Sequence, residues 1–276
     1  MKRISIYCLL IFCVLLTASA QQTKQLVILH TSDTHSRIEP IDPHAADRYA
    51  GMGGVVRRAT FLKDFRAGNP DVLLFDCGDI SQGTPYYNLF QGEVEVKMMN
   101  LMGYDAMTIG NHEFDFGLDN MARLFRMADF PVVCANYDVT GTVLEGLVKP
   151  YVVLNRGGMK IGVFGLSPKM EGLVQADKCE GVVFKDPVPV ANEVAAKLKD
   201  MEGCDAVVCL SHLGIKEDEM LVHQTRNIDV VLGGHSHTFM QEPVFFQNLD
   251  GESIPVSHTG KNGIFVGKID LTFERE

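Results

Sequence analysis

The stretch that decides the fold is Tyr104–Asp115, which reads YDAMTIGNHEFD. Its first half, Tyr104–Ile109, is a short apolar run of the kind found in buried strands. Its second half places Asn111, His112 and Asp115 directly after a glycine. In open α/β sheets, ligand groups collect at the carboxyl ends of the strands. A strand that runs into such a cluster therefore predicts a functional site at a sheet edge.

The rest of the chain repeats short apolar runs separated by helical patterns. Further strands are predicted at Gln25–His30, Asp71–Phe75, Pro131–Ala135, Lys160–Leu166, Asp205–Leu210 and Asp229–Leu232. Helices are predicted at Gly54–Arg66, Asn88–Leu101, Leu118–Met127 and Val188–Lys199. The region Gln241–Phe273, with its Asp250-Gly251 turn, predicts antiparallel strands. This alternation predicts one α/β domain with two packed sheets and helices outside them.

Four more polar clusters follow predicted strands. They are Asp33-Thr34-His35, Gly78-Asp79, Ser211-His212 and Gly233-Gly234-His235-Ser236-His237. Singly each signal is weak, because a lone histidine is more often a hydrogen-bonded structural residue. Together, mixed Asp, Asn and His donors suit Mn, Fe or Zn rather than a pure Mg or Ca cage. Two such cations about 3.5–4 Å apart can clamp a phosphate and generate hydroxide at neutral pH.

The five clusters resemble those of the calcineurin-like metallophosphoesterase superfamily. The runs GDISQGTPYYNLFQGE (78–93), IGNHEFDFGLDN (109–120) and GGHSHT (233–238) look more closely like the catalytic, N-terminal domain of the 5′-nucleotidase family. The resemblance covers nearly the whole chain after its first residues. It implies an α/β fold that is a four-layer α/β/β/α sandwich of two mixed sheets, with metals at the sheet edges.

The resemblance also implies a role for each motif residue. Two divalent metal ions would be bound, the first by Asp33, His35 and His237 and the second by Asn111, His212 and His235, with Asp79 bridging them. His112 would stabilise the phosphoryl transition state, and Asp115 would orient it. A metal-bound hydroxide would attack the phosphate. Some 5′-nucleotidases have Gln or Asn where His237 stands, so the preference of the first metal site could differ here.

The implied function is a metal-dependent phosphoric ester hydrolase that converts 5′-nucleotides to nucleoside and phosphate. Cyclic nucleotides, nucleotide-sugars and thiosulfonates remain alternative substrates for the same site. Family members commonly carry a second, C-terminal nucleotide-binding domain, and this sequence ends at Glu276. A further alternative is therefore the catalytic half of a split enzyme, which would need a separately encoded substrate-binding chain.

The first 20 residues have the layout of a secretory signal peptide. Lys2 and Arg3 precede an apolar run, Ile4–Leu16, and an Ala18-Ser19-Ala20 cleavage site follows. Cleavage after Ala20 would leave 21–276 as a single catalytic domain, secreted or periplasmic. An uncleaved membrane anchor is the alternative, although the run is short for a spanning helix, which needs about 20 apolar residues.

Charge and the remaining polar residues complete the expectations. The net charge is −10, which becomes −12 without residues 1–20, and an acidic surface argues against general nucleic-acid binding.

The later cysteines (Cys77, Cys134, Cys179, Cys204 and Cys209) are predicted to be mostly buried free thiols, and one disulfide among them remains an alternative. Glu217-Asp218-Glu219 is predicted as the solvated start of a helix. His30 and His258 are predicted to be structural.

Overall fold

A computed structural model describes residues 23–274, so the predicted signal peptide lies outside the described residues. The helices are α1 (Val55–Gly68), α2 (Pro85–Phe90), α3 (Glu93–Met102), α4 (Gly117–Met127), α5 (Pro187–Ala196) and α6 (Ile215–His223). The strands are β1 (Thr23–Thr31), β2 (Leu73–Asp76), β3 (Ala106–Thr108), β4 (Val132–Val133), β5 (Tyr137–Asp138), β6 (Val148–Lys149), β7 (Tyr151–Arg156), β8 (Met159–Leu166), β9 (Val183–Phe184), β10 (Ala206–Ser211), β11 (Val230–Gly233), β12 (Val244–Gln247), β13 (Ser253–His258) and β14 (Gly267–Glu274).

Two six-stranded mixed sheets organise the molecule. The first has the order β14-β1-β2-β3-β4-β6, with β14 antiparallel to β1 and the other pairs parallel. The second has the order β12-β13-β11-β10-β8-β7, with antiparallel pairs only at its two edges. The short strands β5 and β9 form a separate pair. The predicted set of two mixed sheets is confirmed.

Alternating side chains on the central strands produce the layers. In β1, Ile28 points into the core between the two sheets, whereas Leu29 packs under the helices outside the first sheet. In β10, Val208 faces the first sheet and Cys209 faces the outer helices α5 and α6. Successive residues of a strand point to opposite faces, so a strand covered on both sides reads as a continuous apolar run. The layers are helices, sheet, sheet and helices, as the resemblance implied.

The predicted helix Asn88–Leu101 is wrong as a single helix. The chain forms α2 and α3 instead, and Gln91 and Gly92 between them adopt left-handed φ values of 53° and 91°. A Cβ on Gly92 would lie 2.6 Å from Leu124 Cδ1, so the bend lets this segment approach α4 closely.

The predicted antiparallel region Gln241–Phe273 is only partly correct. β12 and β13 pair as an antiparallel hairpin around the Asp250-Gly251 turn. β14, however, leaves that sheet and pairs along its length with β1, and β13 lies parallel to β11. The last strand therefore joins the first sheet and covers the outer edge of β1.

The described residues contain no helix that is both long and apolar enough to cross a membrane. All five cysteines of this part of the chain are free, and all except Cys179 are buried. Burial raises the pKa of Cys209 and Cys77, which keeps both as inert thiols rather than reactive thiolates.

Candidate metal centre

All seven predicted metal ligands follow the carboxyl ends of central strands. In the first sheet, β1 leads to Asp33 and His35, β2 to Asp79, and β3 to Asn111. In the second sheet, β10 leads to His212, and β11 to His235 and His237. Their donor atoms converge because the carboxyl edges of the two packed sheets face the same region.

The side chains form two groups of donor atoms. Asp33, His35 and His237 offer ligand atoms that all lie within 4.8 Å of one another, as do Asp79, His212 and His235. The groups adjoin, since His212 Nε2 lies 3.1 Å from Asp79 Oδ2 and 4.0 Å from Asp33 Oδ1. The first group is the one that the family resemblance implied, whereas Asp79, the implied bridge, lies with the second.

The backbone at these ligands is strained. Asp33, His35, Asp79, His235 and His237 have φ values between 46° and 69°. Non-glycine residues rarely adopt this left-handed region, and each instance costs of order 1–3 kcal/mol. Half of the ten such residues in the described part of the chain are candidate ligands. The strained backbone at these five positions therefore directs the five side chains toward one region of the structure.

Hydrogen bonds to carbonyl groups select the tautomer of two histidines. His212 Nδ1 lies 2.6 Å from the carbonyl oxygen of Cys77, and His35 Nδ1 lies 3.1 Å from that of Ser81. A carbonyl only accepts, so Nδ1 carries a proton in both rings, and Nε2 is the nitrogen left for a metal ion or a second proton. This is the usual support for a histidine that binds a metal through its other nitrogen.

The buried charges of the site call for a cation. Burial opposes protonation of His212, but the negative charges of Asp79 and Asp33 raise its pKa to about 10. Burial raises the pKa of Asp33, and it would do the same for Asp79 if His212 did not lower the pKa of that carboxyl. Either a proton or a metal ion can supply the positive charge, and the two compete for the same nitrogen.

His235 and His237 are suited to bind a metal ion as neutral imidazoles. Burial, together with the neighbouring positive charge of His212, lowers the pKa of His235. Burial and nearby His35 lower the pKa of His237 to about 4. Both rings are therefore unprotonated at neutral pH, and His35 Nε2 lies only 2.9 Å from His237 Nε2. Two lone pairs directed at one point are a suitable pair of donors for a shared cation.

Two buried polar atoms fit metal ligation because they lack a hydrogen-bond partner among the described residues. One is Asn111 Oδ1, and the other is His212 Nε2, whose 3.1 Å contact with Asp79 is too poorly aligned to count as a hydrogen bond. Unpaired buried polar atoms cost about 1–3 kcal/mol each. Carboxylates, imidazoles and an amide oxygen are a donor set suited to Mn, Fe or Zn. The residues present therefore fit divalent metal ions.

Two candidate carboxylate ligands also accept hydrogen bonds from the backbone N–H groups of neighbouring loops. The Asp33 carboxylate accepts a hydrogen bond from the His235 N–H at 2.9 Å, which joins the two sheets. Asp79 Oδ1 accepts one from the His112 N–H at 2.9 Å. A Cβ on Gly110 would collide with the Asp79 carboxylate. Only glycine at this position allows the β2 and β3 loops to approach so closely.

His112 and Asp115 form a pair at the mouth of the site. His112 Nδ1 lies 3.1 Å from Asp115 Oδ2, and both side chains are about one-third exposed. This hydrogen bond raises the pKa of His112 against the opposing effect of burial. The ring centroids of His112 and His35 are 5.6 Å apart. The raised pKa favours the protonated imidazole of His112, which lies beside the first donor group and can donate to a negatively charged ligand.

Glu113 is a residue that the sequence motif contained but that was given no role. Its buried carboxylate accepts hydrogen bonds from the N–H groups of Gly110 at 2.6 Å, Asp79 at 3.0 Å and Ser81 at 3.2 Å. It therefore fixes the Asp79 loop against the Asn111 loop. Its position between His112 and Asp115 was the only signal in the sequence.

Asp218 corrects the prediction of a solvated helix start at Glu217–Glu219. Although Glu217 and Glu219 are exposed, Asp218 is fully buried. Its carboxylate accepts hydrogen bonds from Ser211 Oγ and, at 2.8 Å, from His258 Nε2. Because Ser211 directly precedes His212, this group supports the end of β10 that presents a candidate ligand.

Comparison with known proteins places this site in a family. The family model for calcineurin-like phosphoesterases matches residues 26–239, which contain every candidate ligand. The chain belongs to the calcineurin-like phosphoesterase family. The predicted class, a metal-dependent phosphoric ester hydrolase, is confirmed at the level of this family.

Relatives of this phosphoesterase include animal nucleotidases. It is 35% identical to a snake venom 5′-nucleotidase of Crotalus adamanteus over 95% of its own length and 47% of that protein. The chain thus spans about half the length of the curated relatives it matches. The identity extends across nearly the whole chain, which confirms the resemblance to 5′-nucleotidases drawn from the motifs.

Solved structures agree with the fold. A 5′-nucleotidase precursor from Thermus thermophilus superposes with a TM-score of 0.85 at 32% identity, covering 91% of this chain and 52% of that one. The NAD nucleotidase of Haemophilus influenzae superposes with a TM-score of 0.82 at 27% identity, covering 92% and 48%. The four-layer sandwich of the phosphoesterase is therefore confirmed.

Proposed function

We propose that this phosphoesterase hydrolyses phosphate monoesters at a centre of two divalent cations, with 5′-nucleotides as its substrates. The observation that carries the proposal is the convergence of two donor groups, drawn from both sheets, beside the His112–Asp115 pair. The named nucleotidases among its relatives support the choice of nucleotides.

We assign the protein's own groups as follows. Asp33, His35 and His237 would hold one cation, and Asn111, His212 and His235 would hold the other, with Asp79 as a ligand that both could share. When bound, such cations polarise the phosphate and activate water for attack.

The His112–Asp115 pair acts on the phosphoryl group. His112, kept protonated by Asp115, donates a hydrogen bond to the phosphoryl oxygens as negative charge develops on them. Asp115 binds Nδ1–H and so directs Nε2–H outward, as a carboxylate does in other carboxylate–imidazole pairs. His112 acts on the phosphoryl group directly and Asp115 acts through His112, and no side chain of the protein is assigned as a covalent nucleophile.

The test measures, in the presence of Mn²⁺, the release of phosphate from adenosine 5′-monophosphate and ethyl phosphate, of nucleotide from cyclic adenosine monophosphate and a nucleotide-sugar, and of sulfate from a thiosulfonate. His112→Ala should lose roughly 10²–10³ in rate while retaining its metals, because a preformed hydrogen bond to the transition state is worth about that much. The exposed His44→Ala is the matched control. Activity on the thiosulfonate alone would reject nucleotides. If the metal-loaded chain releases nothing, the proposal fails for the lone chain, and a pull-down would then seek a separate substrate-binding chain.

We also propose that residues 1–20 direct export and are removed after Ala20. The support is the order of basic residues, apolar run and small residues in the sequence. Mass spectrometry of the amino terminus of the mature protein would test it, and retention of Met1 in a secreted or periplasmic fraction would contradict it.

A further inference from the structure

A cavity of about 400 Å³ lies between the start of α1 and the segment that precedes β14. Its apolar wall includes Phe61, Ile264 and Phe265, and its charged side chains are Arg57 and Arg58. We call this cavity the arginine pocket. Its volume lies within the range of about 300–1,000 Å³ that is typical of small-molecule sites.

The arginine pocket is separate from the candidate metal centre. None of the candidate metal ligands lines it. The two places are neighbours, because the Asn262 N–H, next to the lining residue Gly263, donates a hydrogen bond to the Asp33 carbonyl oxygen at 2.7 Å. A molecule bound in the pocket would therefore share no donor atom with a metal ion.

Arg58 is a buried cation without a close anionic partner. It is only 9% exposed, and its Nε has no hydrogen-bond partner among the described residues. No carboxylate of residues 23–274 lies within 4.0 Å of its guanidinium nitrogens. The buried Asp76 carboxylate instead accepts hydrogen bonds from Thr31 Oγ1 at 2.6 Å and the Gly78 N–H at 2.9 Å. Buried charges are normally paired, so Arg58 lacks the anion that such a residue usually has.

The guanidinium of Arg58 faces the cavity. A Cβ on Gly263 would collide with Arg58 Nη1, and Gly263 is one of the residues that line the pocket. The glycine therefore leaves open the space in front of this nitrogen. A ligand in the pocket can reach the guanidinium from that side.

The N-terminus of α1 adds unpaired N–H groups beside the two arginines. Gly54, the residue before this 14-residue helix, provides no side-chain cap, and the first turn contains no acidic residue. The Ile38 carbonyl oxygen accepts the Val55 N–H at 2.8 Å. The N–H groups of Val56 and Arg57 have no intrahelical partner, as is general for a first turn. Such a helix start attracts an anion through these N–H groups and the helix dipole.

The lining charges are positive although the protein as a whole is acidic. Among the described residues no acidic side chain lines the pocket, whereas the net charge of the chain is −10. Arg57 donates from Nη1 to the Gly51 carbonyl oxygen, which occupies one of its five N–H groups. The planar fork of a guanidinium matches the paired oxygens of a carboxylate or a phosphate.

The apolar wall is suited to a ring. Phe61 is 45% exposed although it lines a concave site. Phe265 is fixed by stacking on Phe239, with ring centroids 4.2 Å apart. Aromatic side chains favour stacked or edge-to-face contacts with another ring. An inorganic anion would leave these surfaces uncovered.

We propose that the arginine pocket is a binding site for a small organic anion that carries an apolar ring. Its carboxylate or phosphate-type oxygens accept hydrogen bonds from Arg57, Arg58 and the first turn of α1. Its ring packs against Phe61 and Phe265. The site is additional to the metal centre, and it stands whether or not the protein hydrolyses nucleotides.

The first test is an NMR titration of the full chain with benzoate and with phenylphosphonate, in a buffer that contains no other carboxylate or phosphate. Benzyl alcohol has the ring without the charge, and acetate has the charge without the ring. Both should bind at least tenfold more weakly than benzoate, because a hydrogen bond to a charged group or a buried ring is worth about that much. The tighter of the two ring-bearing probes identifies the preferred oxyanion group.

The titration is run on the chain loaded with Zn²⁺ and again after the metal has been removed. The dissociation constant of benzoate should be the same in both states, since no candidate ligand lines the pocket. Binding that requires the metal would assign the probe to the metal centre and overturn the proposal. Absence of binding by both ring-bearing probes would also overturn it.

Two substitutions that each remove one positive charge from α1 locate the binding. Arg58→Met removes the buried cation, whereas Lys63→Met removes an exposed one outside the pocket. Arg58→Met should weaken benzoate binding about 10–100-fold, the scale of hydrogen bonds to a charged group. Lys63→Met should leave it unchanged. Equal effects of the two variants would reject the pocket as the site.

A second pair of variants decides the question if Arg58→Met does not fold. Phe61→Glu places a carboxylate in the wall at a half-exposed position, and Val56→Glu places one on the same helix at a position that is 76% exposed and outside the pocket. Phe61→Glu should weaken benzoate binding at least tenfold, because like charges would then meet in the cavity. Val56→Glu should not. Unchanged binding to Phe61→Glu would contradict the proposal.

Discussion

The two sheet edges that form the candidate centre differ in the donors they contribute. The first sheet supplies both carboxylates, Asp33 and Asp79, together with Asn111 and His35, whereas the second supplies imidazoles alone. The negative charge that attracts a cation therefore comes from one edge, and most of the neutral nitrogen donors come from the other. Neither edge holds a complete set, so the binding of a cation should depend on how precisely the two sheets pack.

The largest effect should follow from removing charge at the first edge. Asp79→Asn leaves the shape nearly unchanged but removes the carboxylate that lies 3.1 Å from His212. We expect a loss of roughly 10³-fold in kcat/KM, together with reduced metal content, since one preformed electrostatic contact is worth about that much. Phosphate release and elemental analysis measure the two effects.

Asp71→Asn, an exposed acid just before β2, is the matched control for that change. If Asp79→Asn retained full activity and two metals, the concentration of negative charge at the edge of the first sheet would not be needed for metal binding or for catalysis.

A smaller effect should follow from loosening the same edge without touching a ligand. Glu113→Gln replaces one acceptor oxygen by an NH₂ group, which must face at least one of the three N–H groups that Glu113 now accepts. We expect Mn²⁺ affinity to fall about 10–100-fold, as for other groups that orient metal ligands. Calorimetric titration measures the affinity.

Activity at saturating Mn²⁺ should largely recover in Glu113→Gln, because the ligands themselves are intact. Loss of activity that saturating metal did not restore would assign Glu113 a direct role in place of the positioning one.

Away from the candidate metal centre, in the interior of the protein, the two sheets are linked by a hydrogen bond of an uncharged histidine. His30 of β1 hydrogen-bonds Ser257 of β13 at 3.0 Å, and burial lowers the pKa of His30 to about 3. The unfolded chain gains a proton below about pH 6.5, whereas the folded chain does not until about pH 3. The free energy of unfolding should therefore fall as pH drops through that window, by about 2 kcal/mol between pH 7 and pH 5.

Urea unfolding at the two pH values measures this dependence, and His30→Gln should remove that share of it. An identical pH dependence in wild type and variant would show that His30 does not stay neutral in the folded protein. An NMR titration of the His30 ring in the wild type decides the same point if the variant folds poorly.

The smallest effect is expected at the second edge. Asp218→Asn weakens the support that Ser211 and His258 share, but it removes no ligand and no charge from the first sheet. We expect roughly a tenfold loss of Mn²⁺ affinity, at the low end for such groups. Glu219→Gln, on the same helix and exposed, is the control. An effect larger than that of Glu113→Gln would reverse the ranking of the two edges.

The sequence predicted the layers well because a strand that is buried on both faces is apolar along its length. After their first aspartates, the predicted runs Asp205–Leu210 and Asp229–Leu232 are apolar without a break, and the structure places them at the centre of the second sheet. The two-residue β6 has no run of that length, whereas β7 was not predicted although its Tyr151–Leu154 segment is apolar. Motif residues were locatable because each directly follows such a strand.

The errors concern long-range pairing and buried polar groups. Nothing local in Gly263–Leu271 indicates that this strand pairs with β1 rather than with its neighbours in sequence. Asp218 looked solvated because the acids on both sides of it are, and its burial depends on His258, forty residues away. The break between α2 and α3 is marked locally only by Gly92, and its close approach to Leu124 of α4 is a contact that the local sequence does not reveal.

The pairing of β14 with β1 has a consequence during synthesis on the ribosome. Among the described strands β1 is made first and its outer neighbour β14 last, so one edge of the first sheet stays open while residues 32–266 emerge. An open strand edge is a template for unwanted pairing with other chains. Nascent chains that stall before residue 267 should therefore need a chaperone to guard that edge, and the completed protein should not.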